Sequence, residues 1–267
     1  MTMLFMKKKY QLERFFVTWL MILFMILTDA FTAFAQVKQA TFLVNGISCD
    51  LEQGILKVEF VTPDVVRVQY TEENTFIGNG TDVCLPRAVD NPVRWVYTPN
   101  PDCYLLKSDS LIVRVDLSTA SITYLDKEGG LLLQEDQNIP RISEKRVTKQ
   151  VIYDEHSKHI EKTADGDKEI KNVLRYDTIG HTWKYRINFK WQPLEALYGW
   201  GAHMEDYMNL RGKELYLCQH NLKAMVPVLN STAGYGLLFD AGCAMMFKDN
   251  SEGSFVEFEA AKQIDYY

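Results

Sequence analysis

Helical periodicity is almost absent from this chain, which removes support for architectures built on amphipathic helices. No internal repeat is visible either, so a solenoid is disfavoured. There is no G-x-S-x-G elbow, no dinucleotide fingerprint and no phosphate loop, so the sequence offers nothing for those chemistries and no cofactor is expected. Basic residues are in deficit, 29 Lys and Arg against 35 Asp and Glu, giving a formal charge of -6. Such a balance repels nucleic acid and anionic membrane alike and is compatible with neutral glycans. Cysteine is scarce and odd in number: Cys49, Cys84, Cys103, Cys218 and Cys243 match no disulfide scaffold or zinc spacing. Mostly buried free thiols are expected, and at least one must lack an intramolecular partner.

What the chain does have begins with an export signature. Lys7, Lys8, Lys9 and Arg14 precede the apolar run Phe15 to Leu27, and the small residues Ala33 and Ala35 stand just before Gln36. The thirteen-residue apolar core is short for a membrane span. These features read as a helical signal peptide over residues 1–35, cut after Ala35, and predict a secreted or periplasmic protein with no stable membrane anchor after cleavage. No lipid-acceptor cysteine follows the core. Cleavage removes four basic residues and the acidic Glu13 and Asp29, leaving the mature chain, 36–267, more acidic.

Period-two alternation dominates that mature chain. Leu56, Val58 and Phe60 alternate with Lys57 and Glu59; after a Thr62-Pro63-Asp64 turn, Val66, Val68 and Tyr70 alternate with Arg67 and Gln69. Leu111, Val113 and Val115 continue the pattern, followed by Ile122, Tyr124 and the Leu131 to Leu133 run. The cleanest strand places Trp183, Tyr185, Ile187, Phe189 and Trp191 on one face and Lys184, Arg186, Asn188 and Lys190 on the other, a buried aromatic face backed by solvent. Many short strands with turns between them predict an all-β fold, an antiparallel β-sandwich. From about 143 to 172 the chain turns polar, which reads as a hydrophilic hairpin or loop with its turn near Asp165-Gly166. His156 and His159 lie there without a completing ligand set, so no metal is expected.

The final seventy residues carry the most specific pattern: Tyr198-Gly199-Trp200-Gly201, Asn209-Leu210-Arg211-Gly212, Gln219-His220-Asn221, Pro227, Ser231, then Gly234 to Asp240, and finally Asp265-Tyr266-Tyr267. Gly199 and Gly201 fit either a bulge at the sheet edge or a close approach by a ligand. Gly234 and Gly236 fit a hairpin turn. Gln219, His220 and Asn221 put three hydrogen-bonding side chains before a loop, a set suited to sugar hydroxyls or to capping a strand. Glu205 and Asp206 are adjacent, so they point to opposite faces and are poorly placed to straddle one bond. They read as a surface loop.

In order and spacing these segments resemble the N-terminal, galactose-mutarotase-like β-sandwich of glycoside hydrolase family 31, the α-glucosidases and α-xylosidases, over about Val37 to Tyr267. The resemblance implies a domain that packs on a catalytic barrel and rims its pocket, with an α-linked oligosaccharide or glycoside as ligand. Asn221 matches the family's asparagine and Gln219 the glutamine of α-xylosidase-like members, while His220 stands where an aromatic is common. Retaining hydrolysis needs two carboxyl groups about 5 Å apart; in the family both are barrel aspartates, and the W-x-D-M-N-E type motif does not occur in these 267 residues. The expectation is therefore a piece without catalytic residues of its own, silent alone, with Gln219, His220 and Asn221 as its substrate-binding residues. Two other readings stand beside it. A free-standing carbohydrate-binding module would show an exposed row of aromatics, and a mutarotase-like epimerase would pair His203 or His220 with Glu205 as acid and base. Because the last strand would lead into barrel-packing surface, an apolar patch is expected at Tyr266 and Tyr267, with dimerisation or aggregation.

Overall fold

The computed structural model describes residues 36–78 and 92–267. Residues 1–35, read above as a helical signal peptide, and Cys84 lie outside the described residues. The described chain is all-β and antiparallel. Its helical content is one 3-10 turn, Glu155–Ser157, and no described helix is long and apolar enough to cross a membrane.

The first sheet opens with β1 (Val37–Phe42), β2 (Gly46–Leu51), β3 (Ile55–Thr62) and β4 (Val65–Thr71), each paired antiparallel to the next. A second sheet is a five-strand meander: β5 (Trp95–Pro99), β6 (Cys103–Ser108), β7 (Leu111–Asp116), β8 (Ile122–Asp126) and β9 (Leu131–Gln134). The polar stretch then builds a long ribbon from β10 (Arg141–Tyr153) and β13 (Val173–Phe189), with a small hairpin of β11 (His159–Thr163) and β12 (Gly166–Ile170) between them. β14 (Leu197–Ala202) pairs with β16 (Ala224–Ser231) and β16 with β17 (Gly236–Leu238). β15 (Glu214–Leu217), β18 (Met245–Asn250) and β19 (Gly253–Ala261) complete a sheet in the order β10-β13-β19-β18-β15. Finally β20 (Ile264–Tyr266) returns to pair with β4, closing the first sheet.

The alternation dictates which faces meet. Tyr185, Ile187, Phe189 and Trp191 are buried, whereas Trp183 is only half-buried. Tyr70 meets Tyr185 edge-on at 5.9 Å between ring centroids, so the first sheet packs on the β13 sheet.

Tyr266 corrects the expectation of an exposed C-terminal patch, being 1% exposed. Strand β20 is a sheet member and turns Tyr266 inward, between Phe189 and Phe239. Its hydroxyl donates to Glu135 Oε1 at 2.8 Å and lies 2.9 Å from the Tyr124 hydroxyl. Glu135, fully buried, also accepts from Ile122 N–H at 2.8 Å and from Arg141 at 2.5 Å. A buried carboxylate is tolerable only when paired and hydrogen-bonded, and here one such group ties strands of three sheets together. Its neighbour Asp265 is buried too, accepting from Arg67 and Gln69.

Cys49 and Cys103 are buried free thiols and Cys218 and Cys243 are half-buried. Burial, helped by Asp50, pushes the Cys49 thiol up to about 12, so it is inert at neutral pH.

Candidate functional site

The site is built on β14 and β16. Gly199 and Gly201 have φ of 141° and 84°, and Trp200 between them has φ 65°. A β-carbon on Gly199 would lie 2.2 Å from the Val228 carbonyl oxygen, and one on Gly201 would lie 2.0 Å from that of Ala224. The close approach is thus by protein backbone: the β14–β16 register shifts between these glycines. The kink drives Trp200 into the core, 5.5 Å from Phe239 and 5.8 Å from Phe247. It also swings Val226 to Val228 out of register. Gly234 (φ 90°) sits in the turn of the β16–β17 hairpin.

The Asn209 to Gly212 segment is held by an internal polar lattice. Asn209 Oδ1 accepts from the backbone N–H of Leu197 and Arg211. Arg211 donates to Asp249 Oδ2 at 2.9 Å and to the carbonyls of Gln192 and Glu195. Burial alone would raise the Asp249 carboxyl, but donors from Ser254, Gly212 N–H and Arg211 hold it below its usual value. Glu195, buried, accepts from Ser231 at 2.5 Å, from the Tyr235 hydroxyl and from Gln192 N–H. Glu195 and Asp249 were not singled out from sequence, since beyond Gln192 and Ser254 their partners lie 36 to 40 residues away.

Between these anchors two loops project side by side, 203–213 and 219–223. The three residues of the second are not equivalent. Gln219 ties its own loop: its amide donates to Lys223 O at 2.7 Å and its oxygen accepts from Met225 N–H at 2.9 Å, which uses one of its two donors and one of its two acceptor sites. His220 is exposed, its Nδ1 3.3 Å from Leu222 N–H. Asn221 is exposed and has no hydrogen-bond partner for its side chain among the described residues. Across the gap, Glu205 accepts from Lys223 Nζ at 2.6 Å and lies 2.9 Å from His203 Nδ1. The Lys223 hydrogen bond first, against a smaller effect of burial, holds the Glu205 carboxyl below its usual range. A carboxylate so neutralised is a poor proton donor and a weak base, so this cluster joins the two loops and is unsuited to the epimerase reading. Asp206 is in the same loop. Met204, Met208 and Leu222 on the two loops and Val226 on β16 are exposed, so the uncovered apolar surface at this end lies on the loops and the strand that follows them. Among the described residues no group of His, Cys, Asp and Glu could hold a metal ion.

The geometry defines an antiparallel β-sandwich whose motif residues chiefly hold two loops in place. Residues 55–247 match the glycosyl hydrolase 31 N-terminal galactose mutarotase-like domain, and the chain belongs to that family. An uncharacterized family 31 glucosidase of Pseudescherichia vulneris is 31% identical over 91 residues, 33% of this chain and 17% of the relative. An α-xylosidase of Saccharolobus solfataricus is 22% identical over 79% of this chain and 25% of the relative. In three dimensions the chain is similar to a GH31 dextranase of Flavobacterium johnsoniae complexed with isomaltotriose, with a TM-score of 0.64 and 16% identity over 88% of this chain and 26% of that one. The chain spans about a quarter or less of these relatives.

Proposed function

We propose that this chain is the accessory N-terminal domain of an exported retaining α-glycosidase. In this reading the 219–223 loop rims a pocket for an α-linked glycoside, supplied with its acid and nucleophile by a catalytic barrel, and the 267 residues are catalytically silent alone. The observation that carries it is the division of labour at the loop: Gln219 locks the backbone from within, leaving Asn221 and His220 facing solvent with unspent hydrogen-bonding capacity. Export is supported by the basic start and short apolar run before Gln36. An assay of the purified chain on aryl α-glucosides and α-xylosides is expected to show no turnover; saturable hydrolysis would refute silence.

One observation favours a second reading, the stand-alone carbohydrate-binding module. Phe42, 53% exposed, lies 6.4 Å from Trp95 with near-parallel planes and 5.1 Å from Tyr97, which meets Tyr104 at 5.8 Å. Sugar rings stack on such surfaces. Retardation of the chain in gels cast with dextran, lost in Trp95→Ala but kept in Asn221→Ala, would favour the module.

A further inference from the structure

The core face of the β13 sheet continues past the end of the sandwich. Tyr185, Ile187 and Phe189 face the core, and the pairings Ser143↔Tyr185, Lys145↔Trp183 and Val147↔His181 put Val147 on that same face. Alternation carries the face on through Lys149, Val151 and Tyr153, with Thr178, Tyr176 and Val173 opposite. Strand β19 no longer flanks the ribbon here, since its pairing with β13 ends at Trp183↔Ala261. Val147 and Tyr176 are each 60% exposed, and Tyr153 and Val173 are also exposed. Among the described residues the outer edges of both strands are unpaired in this arm. An apolar stripe that begins as sandwich core and runs on uncovered is half of an interface.

We infer that a second copy of this chain covers it, the two arms packing face to face and antiparallel about a two-fold axis. The charge pattern selects that arrangement. The stalk carries Lys145, Arg146, Lys149 and Arg175 against Glu144 and Asp177; its apolar face carries Lys145 and Lys149, with Glu73 from beyond β4 bound to His181 and Trp183 at its base and Lys149 left without an ion pair among the described residues. The distal segment 154–172 has six acidic residues against four basic ones. Within it Glu161 and Asp167 make no ion pair among the described residues, nor does Lys162, which stands opposite Asp167, while Lys158, Lys168 and Lys171 are engaged by neighbouring carboxylates, leaving the hairpin net acidic. Antiparallel packing lays the basic stalk of one copy on the acidic hairpin of the other; parallel packing sets like on like. A two-fold axis satisfies both contacts at once.

Sedimentation velocity of the purified chain tests this. The unaltered chain is expected to be a dimer, and Val147→Asp with Tyr176→Asp a monomer with unchanged far-ultraviolet circular dichroism. Lys149→Glu and Asp167→Lys are each expected to weaken association about tenfold, with the double variant returning towards the unaltered affinity. A monomeric unaltered chain, association indifferent to the Val147 and Tyr176 changes, or a double variant weaker than either single one would overturn the inference. The charge-reversal cycle keeps the test decisive if the aspartate variant fails to fold.

Discussion

Replacing Arg141 by Met should cost this fold more than any other single charge removal described above. The side chain of Arg141 is 4% exposed, and it faces Glu135, which is fully buried. Met keeps most of the aliphatic volume but removes the cation, leaving a carboxylate with Ile122 N–H and the Tyr266 hydroxyl as its remaining donors. Breaking a buried pair from one side costs about 3–5 kcal/mol, because the stranded charge keeps its desolvation penalty and loses its compensation. That is a large share of the roughly 5–15 kcal/mol that stabilises a typical domain. The pH dependence carries the diagnostic sign. Burial first, opposed by Arg141, already raises the Glu135 carboxyl above its ordinary value, and removing Arg141 raises it further. A raised folded-state pKa contributes stability that is present below the unfolded value and is lost as pH rises through the folded one. The deficit of Arg141→Met should therefore be largest near pH 7 and shrink towards pH 4, and Glu135→Gln in the same chain should recover part of it. Urea unfolding followed by tryptophan fluorescence across that range is the assay. A deficit under about 1 kcal/mol at pH 7, or one that grows on acidification, would refute the reasoning.

Other consequences are narrower. Gln219→Ala should expose the Met225 amide to faster hydrogen exchange and cost about 1–2 kcal/mol, whereas Asn221→Ala should stay within about 0.5 kcal/mol, both read by chemical unfolding. Gly201→Ala forces a β-carbon to within 2.0 Å of the Ala224 carbonyl oxygen at φ 84°, so a loss of about 3 kcal/mol or more is expected in thermal unfolding. Asp249, held below its usual value of 3.8, contributes stability that is present above that value and lost as pH falls through the lower folded one. Asp249→Asn should lower stability at pH 7 and flatten the acid limb of the stability curve below pH 4.

The strands were legible because one face of each is buried, and a period of two survives in any sequence that keeps a core. Leu56 to Phe60 and Tyr185 to Phe189 show it directly. Long-range pairing was not: Tyr266 is buried because it lies opposite Val68, almost two hundred residues earlier, and no local pattern reports that. The arm was half legible. Its polarity gave away a hairpin, but bulges at Thr148/Lys149 and Ile152/Tyr153 put Ile179 and Leu174 out of phase and hid the apolar stripe. Nothing local marks Glu135 and Arg141 as buried, since burial of an ion pair is a property of the assembled sheets. At the candidate site the residue types were readable and their partners were not: nothing local to Gln219 shows that its amide donates to Lys223 and accepts from Met225.

The central claim, that this is the accessory sandwich of a family 31 glycosidase without chemistry of its own, meets its most direct test in a steady-state assay. The purified chain is incubated with 4-nitrophenyl α-glucoside and α-xyloside over a range of substrate concentrations. The account predicts release indistinguishable from a heat-denatured control. Saturable release that disappears on Glu205→Gln would contradict it, placing a working carboxylate in the loop assigned here to structure.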